Sequence, residues 1–421
     1  MRFNGRYNRF SYLGRLGPVV FLAQSLYVTV DVHAKWPQWG GPNGNFIVDA
    51  VGLADEWPAE GPKQVWQRSL GVGHSAIVAD ADKIYTMYRQ GDDEIVVALW
   101  ADTGGTVWEH RYLAKPYRKQ TVDFSQGPNA TPLLLDDKII TIGFTGVMHC
   151  VAAESGKPIW SHDLVKDFKS KVQYYGYSNS PIAYKDTIIT LVGGKDHGVI
   201  ALNPDTGETA WKSRQFDIGY ASPILINVDG QDQFVFFSPT KVIGLNPRDG
   251  SYLWSHKVIN FCRTNCTSAI WGDDNLLWAA TKGVGGARGL KLVQHNGKTE
   301  VEQVWVNRKA RLYHWNAIRV GDHIYASIGD SKTFLSIIEA KTGEIVERLR
   351  GFAAANVIYA DGKMILLDHA GKLALAKISP ENIEIVSSVQ LLASPSWTVP
   401  TLVGKTLFIR DRRNIIALDL G

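Results

Sequence analysis

The sequence predicts an all-β fold, an eight-bladed β-propeller made of four-stranded antiparallel blades. A short pattern recurs along the 421 residues: an apolar stretch ending in Ala-Leu or a close variant, a Thr-Gly or related turn, and then a Trp. Successive copies place the Trp 43 to 52 residues apart, at Trp108, Trp160, Trp211, Trp254 and Trp305. A fixed repeat of this length is typical of propellers and arrays.

Each copy of the pattern accounts for the strands of one blade. In one clear copy, Ile200-Ala201-Leu202 precedes Thr206-Gly207 and Trp211. The polar turn predicts a hairpin, because Asn and Asp bond their own backbone and Gly adopts positive φ. The Trp ring then fills the space between adjacent sheets. We therefore predict that one Trp docks each blade on the next: Trp66, Trp108, Trp160, Trp211, Trp254 and Trp305.

The eighth blade is split between the two ends of the chain. Seven units run from Gly73 to Val386, and the chain ends in the strand Ile415–Asp419, which no Trp strand follows. Gln64-Val65-Trp66 is predicted to supply the missing strand, so that the N-terminal strand closes the last blade and removes two exposed sheet edges. The predicted propeller covers residues 63–421, after a lead segment (residues 35–62) that either packs on the outside of the ring or is mobile.

Residues 1–34 are typical of a signal peptide. Four arginines lie among the first 15 residues, Leu16–Val30 is mostly apolar, and Val32-His33-Ala34 fits the small-residue cleavage pattern. We expect an exported protein, periplasmic or extracellular; the alternative is a disordered basic tail.

Charge and hydropathy argue against nucleic-acid binding and against a transmembrane segment. The net charge is +4 with dispersed Lys and Arg, which does not indicate nucleic-acid binding. After residue 34 there is no run of about 18 uncharged apolar residues, so no transmembrane segment is expected. We expect a monomer.

The chain has three cysteines. Cys150 lies in a predicted strand and is expected to be a buried core residue. Cys262 and Cys266 flank a three-residue loop and could form a disulfide if the turn brings their Cα atoms within about 7 Å. This pair offers too few ligands for a zinc site.

The repeats resemble those of the pyrroloquinoline quinone (PQQ)-like, or quinoprotein alcohol dehydrogenase-like, β-propeller superfamily. The resemblance covers Trp36 to Gly421, and the segments Trp36–Pro42 and Trp397–Pro400 look like those of its exported bacterial branch. Quinoprotein dehydrogenases of this superfamily hold PQQ and usually calcium in the central funnel. Its outer-membrane assembly lipoproteins use the propeller as a protein-binding scaffold.

A polar or aromatic residue precedes the innermost strand of each blade, and these residues predict a ligand ring at the mouth of the channel. A few convergent polar groups fix ligands in pockets. The alternative is that they are turn and cap residues that satisfy the local backbone. His314 could exchange a proton and Trp397 could stack on a planar ligand, unless they make an ordinary polar contact and a packing contact. The candidate residues are His74, Asn129, Asn179, Ser222, Asn265, His314, Asn316, Asn356 and Trp397.

No catalytic residue and no metal site is predicted, because the acidic residues fall mostly in hairpins and no nucleophile–base–orienter set can be assigned. We predict a binding or scaffold protein that recognises a protein segment or a small polar ligand of the cell envelope at the channel mouth. The alternative is a PQQ-dependent dehydrogenase that oxidises alcohols or sugars with PQQ and calcium as cofactors. Dehydrogenases of this kind typically have a vicinal Cys-Cys pair and long insertions, and the lack of both here favours the binding protein.

Overall fold

The computed structural model describes residues 35–421, apart from positions 81, 124, 261, 262, 330, 331 and 353. The predicted signal peptide lies outside these residues. The described residues form 33 strands in eight sheets, together with one short 3₁₀ helix at Gly283–Gly285. Each sheet contains one blade of four antiparallel strands, and one of the sheets has a fifth, parallel strand, so the predicted eight-bladed propeller is confirmed.

The first four blades follow one another along the chain. Blade 1 contains β3 (Val78–Ala79), β4 (Lys83–Gln90), β5 (Asp93–Trp100) and β6 (Thr106–Leu113). Blade 2 contains β7 (Leu133–Leu135), β8 (Lys138–Ile142), β9 (Val147–Ala152) and β10 (Pro158–Asp163). Blade 3 contains β11 (Ile182–Tyr184), β12 (Thr187–Gly194), β13 (His197–Leu202) and β14 (Thr209–Lys212). Blade 4 contains β15 (Ile224–Val228), β16 (Gln231–Phe237), β17 (Lys241–Leu245) and β18 (Tyr252–Lys257).

The other four blades complete the ring with help from the N-terminal part of the chain. Blade 5 contains β19 (Ile270–Gly272), β20 (Leu276–Ala280), β21 (Ala287–His295) and β22 (Lys298–Asn307). Blade 6 contains β23 (Ala317–Val320), β24 (His323–Gly329), β25 (Thr333–Glu339) and β26 (Ile345–Leu349). Blade 7 contains β27 (Ala355–Ala360), β28 (Lys363–Asp368), β29 (Lys372–Ile378) and β30 (Ile383–Gln390), with β1 (Ile47–Val48) added beside β27. Blade 8 contains β31 (Thr401–Val403), β32 (Thr406–Arg410), β33 (Asn414–Asp419) and, from the N-terminal part, β2 (Lys63–Ser69).

The connections between strands fall into two sets at opposite ends of the channel. The first strand of each blade is innermost, and antiparallel pairing reverses the chain direction at every strand. The upper face therefore carries the segments that lead into the innermost strands, together with the turns between second and third strands. The lower face carries the hairpins between first and second strands and between third and fourth strands.

The ring is closed by pairing between the two ends of the propeller, as predicted. Strand β2 runs antiparallel to β33, with Ser69 opposite Asn414. The Ser69 hydroxyl donates to the Asn414 side-chain oxygen at 2.9 Å. The outer edge of blade 8 is thus supplied by a strand some 345 residues away.

The first part of the lead segment, residues 36–48, lies in the channel, whereas its later part packs on the outer strand of blade 7, as one of the two alternatives expected. The Trp36 amide donates to the Ala79 carbonyl at 2.9 Å, and the Leu134 amide donates to the Pro37 carbonyl at 2.7 Å. Strand β1 runs parallel to β27. These partners belong to innermost strands of blades 1, 2 and 7, so the segment crosses the channel.

The segment then leaves through the lower face. The Leu53 amide donates to the Asp361 carboxylate at 2.9 Å, in the hairpin between β27 and β28. The Trp57 amide donates to the Ser387 hydroxyl at 2.8 Å, on the outer strand of blade 7. From there the chain continues into β2.

The repeated Trp residues lie where neighbouring blades meet. Five of the six indoles donate from Nε1 to a carbonyl in a hairpin of the next blade, over 2.8 to 3.2 Å: Trp66 to Ala101, Trp108 to Ala153, Trp160 to Pro204, Trp211 to Pro247 and Trp305 to Ala340. Trp254 instead donates to Gln233 of its own blade at 2.6 Å. The corresponding turn of blade 5 is Asn296-Gly297, and nothing lies within 4 Å of where a Gly297 Cβ would be.

Candidate functional site

A cavity of about 360 Å³ opens at the centre of the upper face; we call it the mouth cavity. Most of its walls come from the segments that lead into the innermost strands, which the repeat brings together at one end of the channel. The lining residues are Trp39, His74, Ser125, Asn129, Tyr175, Ser178, Ser180, Tyr220, Ser222, Thr264, Cys266, Tyr313, His314, Trp397, Thr398 and Val399.

The lead segment contributes Trp39 to this lining. Its indole Nε1 donates to the Ser268 hydroxyl at 3.1 Å, just before the innermost strand of blade 5. Its ring also packs edge-on against Phe46, with ring centroids 5.2 Å apart. The lead segment therefore forms part of the wall of the mouth cavity, which we also call the cup.

Trp397 is the centre of an aromatic cluster on one wall. Its ring lies between His74 and His314, with centroid distances of 4.8 and 4.9 Å. Its indole Nε1 donates to Nδ1 of His369 at 2.7 Å. A hydrogen bond and two ring contacts therefore hold the Trp397 ring in place at the cavity.

His314 presents a neutral imidazole. Burial, with smaller contributions from His369 and Lys282, lowers the pKa of His314 to about 3. Its Nε2 atom is buried and has no hydrogen-bond partner among the described residues. An unpaired buried ring nitrogen favours a ligand that offers it a hydrogen bond.

The hydroxyl groups of the lining are already oriented by the protein. Ser178 donates to the Tyr220 carbonyl at 3.2 Å, and Thr398 donates to the His74 carbonyl at 3.2 Å. Ser222 donates to Ser180 at 3.0 Å. Because these protons are engaged, what the hydroxyls retain for a ligand is mainly their acceptor lone pairs.

Tyrosine rings form the opposite wall and the rim. Tyr175 and Tyr220 pack edge-to-face with ring centroids 5.6 Å apart. Burial raises the pKa of Tyr220 to about 12, so its hydroxyl stays protonated. The Lys282 ammonium lies 3.6 Å from the centre of the Tyr313 ring. No Asp, Glu, Lys or Arg is among the described residues that line the cavity, which is therefore neutral and aromatic.

Five of the nine predicted ligand residues line the mouth cavity: His74, Asn129, Ser222, His314 and Trp397. Asn129 is partly engaged, since its amide donates to the Tyr175 carbonyl at 3.2 Å and its oxygen accepts from Ser125.

The other four predicted residues, all asparagines, do not line the cavity but hold the loops together. Asn179 donates to the Ala221 carbonyl at 2.7 Å, and Asn265 donates to the Ser238 carbonyl at 2.7 Å. Asn316 donates to the Val357 carbonyl at 2.7 Å, and Asn356 donates to the Trp397 carbonyl at 2.9 Å. Their amides satisfy backbone groups, most of them in the next blade, which is the alternative stated for them above.

Sequence reasoning missed residues adjacent to these asparagines. Ser178 and Ser180 flank Asn179 and both line the cavity, as do Thr264 and Cys266 on either side of Asn265. Successive side chains of an extended chain point to opposite sides. This alternation is the feature of the sequence from which the neighbours of the asparagines could have been predicted to line the cavity. Nothing in the repeat pattern pointed to Trp39, which reaches the cavity from the lead segment.

The cysteine predictions are tested only in part. Cys150 is buried in β9. Cys266 lines the cavity, and burial raises the pKa of its thiol to about 12. The structure has Cys266 as a free cysteine and does not show the possible bond with Cys262, which lies outside the described residues.

Two further features of the described residues bear on function. The single helix among them is one 3₁₀ turn. The described residues therefore contain no helix that is long and apolar enough to cross a membrane. No group of three or more His, Cys, Asp or Glu side chains in this part of the chain is arranged to hold a metal ion.

Eight four-stranded blades with this repeat define a PQQ-like β-propeller. The chain belongs to the PQQ_2 family, described as outer membrane protein assembly factor BamB, whose sequence model matches residues 91–349.

The proteins to which this chain is similar include both a BamB and alcohol dehydrogenases. The structure is similar to BamB from Moraxella catarrhalis (TM-score 0.58, 15% identity), covering 85% of this chain and 97% of that one. It is also similar to quinohemoprotein alcohol dehydrogenase from Comamonas testosteroni (TM-score 0.62, 11% identity), covering 92% of this chain and 81% of that one. In sequence, the chain is 27% identical over 144 residues to the quinoprotein alcohol dehydrogenase PedH of Pseudomonas putida. That match covers 32% of this chain and only 24% of PedH.

Proposed function

We propose that this protein is an exported binding protein of the cell envelope that holds a segment of another protein at the mouth cavity. The observation that carries the proposal is the neutral aromatic cup at the centre of one face. Cavities of this size, apolar and with a few polar groups, are where proteins bind ligands. Membership of a family described as an assembly factor supports a protein as the partner.

The cup suits one apolar or aromatic side chain and the backbone beside it. The rings of Trp39, Trp397 and Tyr220 offer apolar faces. The oriented hydroxyls of Ser178 and Thr398 can accept hydrogen bonds from backbone N–H groups. A charged ligand group would lose hydration on entering a cavity whose lining carries no charged side chain, which is costly.

Selection of binding peptides tests the proposal. A random peptide library is panned against the protein, and the affinity of each selected peptide is measured by fluorescence anisotropy. Trp397→Leu removes the aromatic wall and is expected to weaken binding at least tenfold. The matched control is Trp100→Leu, at the lower end of β5, which is expected to leave affinity within twofold. Equal affinity of Trp397→Leu and the parent for every selected peptide would refute the mouth as the binding site.

A second candidate is the PQQ-dependent dehydrogenase, favoured by the sequence identity to PedH. Calcium takes six to eight oxygen ligands, carboxylates foremost. The described lining of the mouth cavity contains no carboxylate, and PQQ, an anion, would find no Arg or Lys there. The residues present therefore do not fit a calcium–PQQ pair at this site.

Cofactor uptake decides between the two candidates. Purified protein is incubated with PQQ and calcium, passed through a desalting column, and its absorbance and alcohol-dependent dye reduction are measured. The binding-protein proposal expects no retained quinone. Retained quinone with dye reduction would replace it with the dehydrogenase.

A further inference from the structure

We infer that the segment bound at the mouth cavity is acidic and carries a central apolar or aromatic anchor residue. The inference rests on the proposed function and names the chemical class of partner for the same site. Three features support it: the charge of the upper face, the exposed apolar side chains on that face, and the neutral cavity at its centre.

The two faces of the propeller carry opposite charge. The described residues of the upper-face connections include 17 Lys and Arg but only 6 Asp. The lower-face hairpins include 17 Asp and Glu but only 5 Lys and Arg. The small net charge of +4 hides this separation. A basic face attracts acidic partners and repels basic ones, over a screening length of about 8–10 Å in physiological salt.

Lower-face charges are partly neutralised by ion pairs within the protein. Lys138 binds Asp205 at 2.9 Å, and Lys341 binds Asp322 at 2.8 Å. These contacts leave the lower face less free charge than its residue count implies.

Several upper-face cations have no such partner. Among the described residues no ion pair involves Lys119, Lys282 or Lys309, whereas Lys171 pairs with Asp217 at 2.8 Å. Lys282 lies against Tyr313, which lines the cavity. Of these three lysines, Lys282 lies at the mouth, whereas Lys309 lies in a groove with Glu344 and Glu347 of blade 6. A carboxylate that arrives at the mouth therefore meets a cation that has no ion-pair partner among the described residues.

Exposed large apolar side chains add a second feature to the same face. Those in the described upper connections are Val122, Tyr174, Tyr175, Ile259, Val284 and Tyr313, and the described lower hairpins carry none. Tyr175 and Tyr313 also line the cavity, so this apolar surface is continuous with it.

The upper face thus combines a neutral aromatic cup, Lys282 at the rim of that cup and an excess of Lys and Arg in the connections of the same face. Protein interfaces place an apolar anchor in a desolvated centre and use charge around it for attraction and specificity. An anionic membrane would also be attracted to this face, but it gives no reason for the cup. An acidic segment with an apolar anchor accounts for all three features.

Synthetic peptides test the inference. Three nine-residue peptides share a central Phe and differ in their flanks, which are Asp and Glu, Gly and Ser, or Lys. Binding is followed by fluorescence anisotropy at 50 and 500 mM NaCl. We expect the acidic peptide to bind at least tenfold more tightly than the neutral one at low salt, the basic one not to bind, and the difference to shrink at high salt.

Charge reversal on each face supplies the matched variants. Lys119→Glu/Lys282→Glu is expected to weaken binding of the acidic peptide at least tenfold and to leave binding of the neutral peptide within twofold. Lys157→Glu/Lys185→Glu on the lower face is expected to leave the affinity for both peptides unchanged. Circular dichroism melting shows whether each variant is folded.

The remaining outcomes separate this inference from the proposed function. Equal affinity for acidic and neutral peptides would overturn the inference and leave the binding mouth in place. Failure of all three peptides to bind would overturn both. Sedimentation with phosphatidylglycerol vesicles but not phosphatidylcholine vesicles, without peptide binding, would assign the basic face to a membrane surface instead.

Discussion

Gly and Trp repeat together because the Trp ring packs where a side chain on the glycine would otherwise lie. A Cβ on Gly156 would lie 2.4 Å from the Trp108 ring, and one on Gly104 would lie 2.6 Å from the Trp66 ring. Both glycines also have positive φ, at +67° and +68°. The sequence predicted the turn conformation and the docking of each Trp on the next blade. It did not predict that the ring packs on this glycine, because that contact depends on how the blades stack.

Gly156→Ala should therefore destabilise the protein by more than backbone strain alone. The expected loss is about 2–4 kcal/mol, from about 1 kcal/mol for a left-handed non-Gly residue and the rest from displacing a packed ring. Gly230→Ala is the control, because Gly230 has φ +89° and open space around its Cβ position. In thermal melts, Gly156→Ala should have a lower melting temperature than Gly230→Ala. Equal melting temperatures would mean that the Trp108 contact adds nothing.

A buried histidine pair makes stability depend on pH. Burial, and to a smaller extent the neighbouring His110, lowers the pKa of His149 to about 4 from a usual value of 6.5. Its Nδ1 lies 3.2 Å from Nε2 of His110, and its Nε2 has no partner among the described residues. Below about pH 6.5 the unfolded chain takes up a proton that the folded protein resists, so stability falls as pH drops from 6.5 towards 4.

The expected loss attributable to His149 over that range is up to about 3 kcal/mol. Denaturation midpoints between pH 8 and 4.5 should show a shallower acid slope for His149→Asn than for the parent. His295→Asn, at an exposed position in β21, should keep the parent slope. An unchanged slope in His149→Asn would exclude His149 as the source of acid sensitivity.

The sequence predicted which loops surround the site, but not which side chains of those loops face the cavity. The repeat indicated which loops surround the mouth, and these loops do line it. It could not say whether Asn179 or its neighbour Ser178 faces the cavity, because the register of the extended loop is set by contacts with the next blade. The Asn179 amide bonds to Ala221 of that blade, and this contact turns its neighbours inward.

Among the elements, the lead segment departs most from expectation. Its sequence lacks the repeat pattern, so nothing local distinguished an outer or mobile strap from a segment inside the ring. Trp36 is only 2% exposed, and its backbone pairs with Ala79 in blade 1. The reason for its position is the channel itself, whose innermost strands offer apolar walls and unpaired backbone groups.

Trp36→Ala should accordingly behave as a core substitution, although the residue lies outside the repeats. The expected cost is about 3–5 kcal/mol, typical of truncating a buried aromatic residue. Trp100→Ala is the control, because that side chain is 42% exposed and should cost below about 1 kcal/mol. Thermal and urea melts of both variants give the comparison. A Trp36 variant as stable as the Trp100 variant would mean that the lead segment is not packed in the channel.

For the whole molecule, closure of the ring was predictable because the last strand lacked a partner with the repeat's Trp. Ser69 and Asn414 are opposite each other in the β2–β33 ladder, and their side chains touch. A Ser69→Cys/Asn414→Cys variant should therefore form a disulfide. Linking positions this far apart is expected to raise stability by up to about 5 kcal/mol, and reductant should reverse the gain.

Melting temperatures with and without reductant measure this effect, with the two single-cysteine variants as controls. If the double variant does not form the bond, or if the bond lowers the melting temperature, the two ends do not pair in this register.

Charge separation between the faces was not read from the sequence, although the residues that produce it were visible. The charged residues are spread over connections of varied length and no special composition. Only the alternation of strand direction sorts those connections onto two faces. The inference of an acidic partner depends on this sorting, because it places the excess of Lys and Arg on the face that carries the mouth cavity.

Hydrogen–deuterium exchange of the protein with a selected peptide tests the central claim most directly. If the mouth cavity is the binding site, peptide binding should slow exchange in residues 125–131, 175–180, 264–268, 313–317 and 397–401, and should leave the lower-face hairpins unchanged. Protection confined to the lower face or to the outer strands of the blades, with the mouth loops unaffected, would contradict the account.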